Sequence, residues 1–154
     1  MRKLCVLLII ASIPAFAQDD ATAMQGSIDF LSGTWRTVST FIASGAEAPG
    51  TLTYKWVLGG EWMRIEFVGK HPQRDVWEAH GLMRWDPERK AIVSYVVFGP
   101  NDVSMMTGQP IEGGGISLTA TTDGRAFGID YHPRGENAVY QENWAIDVNG
   151  ERQV

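Results

Sequence analysis

Four side chains that could hold a metal ion or transfer a proton lie close together in the segment EFVGKHPQRDVWEAHG, residues 66–81. They are Glu66, His71, Glu78 and His80. A metal centre usually needs three or more converging groups, and spacings typical of zinc sites, such as His-Glu-x-x-His, do not occur in the sequence. We expect no metal here. An acid/base site and the solvent-exposed face of a hairpin both stay open, and the strands that carry these residues decide between them.

The strands can be predicted from alternation, because apolar residues from position 34 onward mostly recur at every second position. Turn signals such as Gly59-Gly60, Asp86-Pro87 and Asn149-Gly150 separate the apolar runs. One short helical segment, roughly Ser27 to Leu31, precedes them. The sequence thus predicts an all-β fold, an antiparallel meander closed as a barrel or folded as a sandwich, with a short N-terminal helix. The nine predicted strands are 34–42, 51–58, 61–68, 75–85, 91–98, 102–108, 116–122, 125–132 and 138–148.

The Gly59-Gly60 pair also predicts a register. A two-residue turn at these glycines places Leu58 opposite Glu61 and therefore sets Leu52, Tyr54 and Trp56 opposite Phe67, Ile65 and Met63. The next connection is longer. Pairing Val68 with Val76 across it would place Phe67 opposite Trp77, Glu66 opposite Glu78 and Arg64 opposite His80.

This pairing gives the sheet one apolar face and one charged face. In a soluble barrel the apolar face should point inward, because its burial is worth about 25 cal/mol per Å², whereas burying an unpaired ion costs several kcal/mol. An outer-membrane barrel would reverse the two faces, but most of the apolar runs are shorter than the strands that such barrels need. The residues predicted to line the interior on this basis are Leu52, Tyr54, Trp56, Met63, Ile65, Phe67, Trp77, Met83 and Trp85.

The aromatic residues suggest what an interior could do. Large rings that line a barrel suit a flat or apolar ligand, with tyrosine hydroxyl and indole N–H groups as polar contacts. A barrel of this size can also be filled by its own side chains, and both alternatives stay open. The predicted ligand-binding residues are Tyr54, Trp56, Phe67, Trp77, Trp85 and Tyr95, and Trp144 adds a further ring.

The charged face offers a catalytic alternative. Glu66 and Glu78 could share a proton or a cation, with His80 and Arg64 beside them. We favour the interpretation that these charges form a solvated outer wall. A Gly-x-Ser-x-Gly motif for a serine nucleophile does not occur in the sequence.

The first 17 residues have the pattern of a signal peptide: Arg2 and Lys3, an apolar stretch, and the small-x-small site Ala15-Phe16-Ala17. The mature domain is then 18–154, a single domain that is secreted or periplasmic and keeps no membrane anchor. The net charge is −5, and it becomes more negative when the signal peptide leaves. We therefore expect neither nucleic acid nor anionic lipid as a partner.

Three short segments resemble a known family. FLSGTWRT contains a Gly-x-Trp entry into the first strand that looks like that of lipocalin-like (calycin) barrels, and LGGEWMRIEF and HGLMRWDP are similar to the secreted, lipocalin-like domain-of-unknown-function family 1579. The resemblance implies a barrel of eight to ten strands with a central cavity, and no established activity. It also implies that Trp35 forms the barrel floor and that Arg152 stacks on it.

A haem-binding relative of these barrels begins with Gly-x-Trp-x-Gly-x-Gly, but the present sequence, GTWRTVS, lacks both later glycines. His132 is the nearest analogue of its axial ligand, although a histidine beside Pro133 at a strand end is more often a surface residue. We expect no haem and no other cofactor.

A complete barrel of this kind would carry a further strand after Asn149-Gly150, where only four residues follow. The barrel is then open beside its first strand, or another element covers the gap, or the chain is a shortened member. An open edge could pair two copies as a homodimer.

The leading hypothesis is a barrel that binds a small apolar molecule. The alternatives are an interaction module and an enzyme that uses Glu66, Glu78, His80 and Arg64.

Overall fold

The computed structural model describes residues 25–41, 45–71, 74–100, 102–122, 124–147 and 149–154. The predicted signal peptide, residues 1–17, lies outside these residues. Each described strand pairs antiparallel with its neighbour in the chain, in one ten-stranded sheet. The sheet is an antiparallel meander that curls strongly into a half-barrel, so the all-β prediction is confirmed. The strands are β1 (Gly33–Phe41), β2 (Ala46–Val57), β3 (Trp62–His71), β4 (Arg74–Asp86), β5 (Ala91–Gly99), β6 (Asp102–Ile111), β7 (Gly115–Thr122), β8 (Arg125–Pro133), β9 (Val139–Ile146) and β10 (Arg152–Gln153).

All nine predicted strands are present, and β10 adds a tenth of two residues. Among the described strands, no pairing joins β1 to β10, so the sheet has two free edges. Some strands are longer than predicted: β2 has 12 residues and β4 has 13. Strand length therefore does not distinguish a soluble barrel from an outer-membrane barrel, and the direction of the apolar face is the better criterion.

The predicted N-terminal helix is instead a single 3-10 turn, Asp29–Leu31. Leu31 N donates to Ile28 O at 3.1 Å, and Ser32 N donates to Asp29 O at 2.9 Å. Residues three apart lie above one another in a 3-10 turn, which lets Ile28 and Leu31 point into the half-barrel together. Both are buried. An α-helix would rotate the second of them away from the first.

Within the described residues, no helix has both the length and the hydrophobicity of a membrane-spanning segment.

The predicted register of β2 and β3 is confirmed. Leu52 lies opposite Phe67, Tyr54 opposite Ile65, and Trp56 opposite Met63. The chain reverses through a short turn, Leu58–Gly60, in which Gly59 and Gly60 have φ of 73° and 92°. These left-handed values favour glycine, which explains why the glycine pair fixes the register.

The predicted register of β3 and β4 is wrong by two residues. Phe67 lies opposite Ala79 rather than Trp77, Glu66 opposite His80 rather than Glu78, and Arg64 opposite Leu82 rather than His80. The cause is a tighter connection than expected: pairing continues to His71 opposite Arg74, past an irregularity that follows Gly69. Because side chains alternate with a period of two, a shift of two residues leaves every side chain on its predicted face.

Arg152 holds β10 against the outer wall of the sheet. Its Nη2 donates to Asp130 Oδ2 at 2.7 Å and to Glu142 Oε2 at 2.6 Å. Its guanidinium lies 4.7 Å from the ring centroid of Trp144, and the indole N–H of that residue donates to Asp130 Oδ1 at 3.1 Å. The expected stacking of Arg152 on Trp35 is therefore wrong: Trp144 is its aromatic partner.

Asp130 is the centre of this network. Partial burial disfavours its charged form, but hydrogen bonds from Ser117, Arg152 and Trp144 outweigh that effect and lower its pKa. A carboxylate that is more acidic when folded stabilises the fold fully above its ordinary pKa, and the stabilisation is lost as the pH falls below that value.

We predict that Asp130→Asn lowers the free energy of unfolding by about 2 kcal/mol at neutral pH, because it removes charge-assisted hydrogen bonds. The difference from the unmodified protein should shrink below about pH 4, where Asp130 itself becomes protonated on unfolding. Urea unfolding at neutral pH and below about pH 4 measures this difference. Glu142→Gln, at the more exposed carboxylate that also binds Arg152, is the control and should have a smaller effect. An equal loss at both pH values would contradict the electrostatic account.

Candidate functional site

The inner face of the half-barrel is apolar and rich in aromatic rings, as predicted. Tyr54 is buried in the core, and Trp56, Phe67 and Trp85 pack against that core while partly exposed. Trp77 is also partly buried, and its ring lies 5.2 Å from that of Phe67 in an edge-to-face contact. Five of the six predicted ligand-binding residues thus lie on the inner face. Their role in binding stays a prediction.

Tyr95 and Trp144 point outward, contrary to expectation. Tyr95 is 37 % exposed and lies opposite Leu82 and Met105, which are also exposed. Strand β5 buries Ile92, Ser94 and Val96 toward the interior, so alternation sends Tyr95 outward. The sequence of this strand, AIVSYVVFG, is apolar at almost every position, and its pattern therefore could not reveal which side faces in.

One end of the half-barrel is plugged by the N-terminal turn; this closed end is where β1 and β3 begin and β2 and β4 finish. Two indole groups hold the turn there. Trp35 Nε1 donates to Leu31 O at 2.7 Å, and Trp56 Nε1 donates to Asp29 Oδ1 at 2.7 Å. The side-chain amide of Gln25 also donates to Gly60 O. Trp35 thus lies at a sealed end of the sheet, and its role as a barrel floor stays a prediction.

The opposite end is called the open end, because the described residues form no plug there, and its inner face carries half-buried rings. Besides Phe67 and Trp77 these are Phe98 and Phe127, which the sequence analysis missed. The sequence gives no signal for Phe98, because β5 is apolar at almost every position. Phe127 could have been identified, because it lies two residues before Ile129 and therefore on the same face of β8. The inner face therefore carries partly exposed rings at both ends, and those at the closed end include Trp56, which is bonded to the plug.

Two glycines shape the open end. A Cβ at Gly69 would come within 2.5 Å of Phe67 Cζ, and a Cβ at Gly50 would come within 2.9 Å of Phe67 Cε2. The ring of Phe67 therefore lies over both backbones, in space that any larger residue would occupy. This arrangement keeps Phe67 close to the sheet.

The two halves of the sheet meet inside the half-barrel at a tyrosine pair. The Tyr54 hydroxyl donates to the Tyr131 hydroxyl at 3.1 Å, and the rings are edge-to-face with centroids 6.3 Å apart. Burial raises the pKa of Tyr54 well above its ordinary value, and Tyr131 raises it further. Burial also raises the pKa of Tyr131, although the hydrogen bond from Tyr54 partly offsets this. Both phenols are neutral at physiological pH, so the pair offers uncharged polar groups.

Ser94 places a further hydroxyl in the interior. The residue is 1 % exposed and lies between Met83 and Met106 on the neighbouring strands. Its Oγ has no hydrogen-bond partner in the described structure, and the same holds for Thr37 Oγ1 on β1. A buried hydroxyl without a partner costs about 1–3 kcal/mol, so each of these groups needs a physical reason for being there.

The predicted catalytic residues lie on the outer wall, not in a polar cleft. Arg64 Nη2 lies 3.2 Å from Glu66 Oε2, and both side chains are more than one-third exposed. Glu66 lies opposite His80, while Glu78 lies opposite Val68 in another row. Exposed ion pairs contribute little to stability. The arrangement favours a solvated wall over an acid/base site.

Of the other two histidines, His132 has a described side chain, and it lies away from this cluster. The side chain of His71 lies outside the described residues, and His132 lies beside Tyr140 with ring centroids 6.2 Å apart. Among the described histidines and carboxylates, no group of three or more is placed to hold a metal ion.

Two surface depressions also lie on the outer side of the sheet. One, of about 340 Å³, is beside β2 and β3 at the open end and includes Pro49, Lys70 and Val76 in its lining. The other, of about 400 Å³, lies across β3, β4 and β5 and includes Arg64, Glu66, His80, Leu82, Tyr95 and Val97. The second depression thus combines exposed apolar side chains with the charged ones of the outer wall.

No protein-family model matches the chain, and no curated protein is significantly similar to it. The likeness to lipocalin-like barrels and to family 1579 therefore rests on the short segments around Trp35, Trp62 and Trp85, together with the curled antiparallel meander. It stays a prediction. Function has to be inferred from the geometry of the chain itself.

We predict that Trp35→Phe lowers the free energy of unfolding by about 1 kcal/mol, because the ring is kept while the carbonyl of Leu31 loses its donor. Trp62→Phe is the matched control, since that indole lies on the outer wall and meets Arg84 through its ring face, 4.8 Å from the centroid. Urea unfolding of both variants measures the difference. Equal effects would show that the indole hydrogen bond does not hold the plug.

Proposed function

We propose that this chain is a secreted or periplasmic, lipocalin-like binding protein that holds a small apolar or aromatic molecule against its inner face. The molecule enters at the open end and lies between the rim of half-buried rings and the Tyr54–Tyr131 contact. The signal-peptide pattern supports export. The curled meander, with one end plugged beneath Trp35, supports the lipocalin-like assignment.

The observation that carries this proposal is the set of partly exposed rings on the inner face at the end opposite the plug. Partly exposed rings also occur at the closed end, but there the indole N–H groups of Trp35 and Trp56 are bonded to the plug. At the open end, four large rings on the same face stay partly exposed, although a solvated apolar surface costs about 25 cal/mol per Å². A flat apolar ligand would cover these rings, which are Phe67, Trp77, Phe98 and Phe127.

The polar groups of the interior indicate an uncharged ligand with at least one hydrogen-bonding group. The tyrosine pair is neutral, and Ser94 presents a buried hydroxyl without a partner. A ligand oxygen or nitrogen could satisfy such a hydroxyl, whereas a ligand charge would have to be desolvated beside it. Ser94 and the flanking Met83 and Met106 are fully buried, so these unbranched, adaptable methionines would have to shift before a ligand could reach the hydroxyl.

The open end should bind a neutral hydrophobic probe. We predict that N-phenyl-1-naphthylamine binds saturably with enhanced fluorescence, and that Phe98→Ala and Phe127→Ala each weaken binding by roughly fivefold or more, since each removes ring contact. Trp62→Ala, which removes a ring from the outer wall, is the matched control and should leave affinity unchanged. Circular dichroism checks that all variants fold. Binding that depends on Trp62 instead of the inner rings would refute an interior site.

Ser94→Ala should separate a binding role from a structural one. We predict that it raises the free energy of unfolding of the ligand-free protein by about 1 kcal/mol, because a buried hydroxyl without a partner is removed. It should also weaken binding of Nile red, which carries a carbonyl group, by roughly threefold. Ser39→Ala, at a half-buried position on β1, is the control. A variant that is less stable and binds Nile red unchanged would show that the hydroxyl has no part in binding.

A further inference from the structure

Besides Val76 at the start of β4, the outer wall of β4, β5 and β6 exposes five apolar side chains that the proposed interior site does not use. They are between 36 and 62 % exposed. The strand pairing places them side by side, because Leu82 lies opposite Tyr95 and Tyr95 opposite Met105, while Val97 lies opposite Val103. We call this set the outer patch: Leu82, Tyr95, Val97, Val103 and Met105.

The outer patch is unusual for a wall that faces water. In an antiparallel sheet with one buried face, the other face is normally polar, as it is here on β3, where Arg64 and Glu66 point outward. Single exposed apolar residues need no explanation, but a contiguous set on three adjacent strands typically marks an interaction site. The depression of about 400 Å³ lies in the same region.

The patch and its charged margin form two parallel rows across the strands. In the first row, pairing joins Arg64, Leu82, Tyr95 and Met105; in the second row, it joins Glu66, His80, Val97 and Val103. The first row is therefore positive at its β3 end and the second row negative, and Lys55, opposite Arg64 on β2, adds to the positive charge of the first. Both rows are apolar on β5 and β6.

These two rows are complementary to each other, and hence to a second copy of the same wall. Consider a two-fold axis that runs parallel to the rows, midway between them. This axis places the first row of one copy against the second row of the other copy, and the second row against the first. Arg64 then faces Glu66 of the second copy, Tyr95 faces its Val97, and Met105 faces its Val103. One row further out, the same axis sets Arg84 on Glu78 of the second copy. An axis along the strands would instead set Arg64 against apolar Met105.

We infer that the outer wall of β3–β6 is the interface of a symmetric homodimer, in which the outer patches of two copies pack face to face beside two reciprocal Arg64–Glu66 pairs at the β3 margin. Apolar residues occupy β5 and β6 and charges the β3 margin, and other protein interfaces likewise combine apolar and polar regions. The interface leaves the inner face and the open end free. It is therefore independent of the proposed ligand site and of the free edges of β1 and β10.

The test is the oligomeric state of the purified protein over a range of concentrations, measured by sedimentation velocity. A concentration-dependent dimer is expected, and Met105→Glu should raise its dissociation constant by roughly tenfold or more, because a charge would be buried at the apolar centre. Val38→Glu is the matched control: Val38 is 67 % exposed on β1, outside the patch. A monomer at every concentration, or a dimer that Met105→Glu leaves unchanged, overturns the inference.

Charge reversal tests the symmetry. Arg64→Glu and Glu66→Arg should each weaken the dimer, since each brings like charges together across the axis, and the double variant should restore it. Because these side chains are exposed, folding of the monomer should be unaffected, as circular dichroism can check. A dimer that Met105→Glu weakens but both charge reversals leave unchanged would overturn the two-fold arrangement.

Discussion

A single sheet with one apolar face has no second layer against which to bury that face, and the rest of this structure follows from that constraint. The sheet must curl until two halves of the same face meet, and they meet at the hydrogen bond between Tyr54 on β2 and Tyr131 on β8. Two phenols satisfy each other there without a charge, which a dry interior tolerates. Because no described pairing joins β1 to β10, this internal contact and the packing around it, rather than a closed ring of hydrogen bonds, maintain the curl.

Curling alone would leave both ends of the interior open, and the chain treats the two ends differently. At the closed end, Ile28 and Leu31 fill the opening, and two indole N–H groups fix the turn that carries them. At the open end, aromatic rings remain half-exposed, and Gly50 and Gly69 give Phe67 space to lie close to the sheet. A surface that is sealed at one end and ring-lined at the other is suited to receive an apolar molecule. This difference between the ends links the fold to the proposed function.

Local patterns in the sequence predicted those features that depend on local geometry. The Gly59-Gly60 turn predicted the pairing of β2 with β3, because left-handed glycines restrict how the chain reverses. The connection after β3 carries no glycine pair, so its length was overestimated from the sequence, and the predicted pairing of β3 with β4 was wrong by two residues while both faces were right. The alternation of polar and apolar residues could not predict which way Tyr95 points, because β5 is apolar at almost every position. Contacts between distant elements, such as Asp29 with Trp56 or Arg152 with Trp144, leave no local pattern from which they could be predicted.

The two walls of the sheet therefore carry different chemistry, with aromatic rings and uncharged hydroxyls inside and an apolar patch bounded by reciprocal charges outside. We propose that the inner wall is a binding surface and not only a core. Native mass spectrometry of the protein purified from the organism that makes it can decide this. Each chain should retain one uncharged small molecule, released when the protein unfolds. A mass equal to that of the bare polypeptide, under conditions that preserve a control ligand complex, would contradict it.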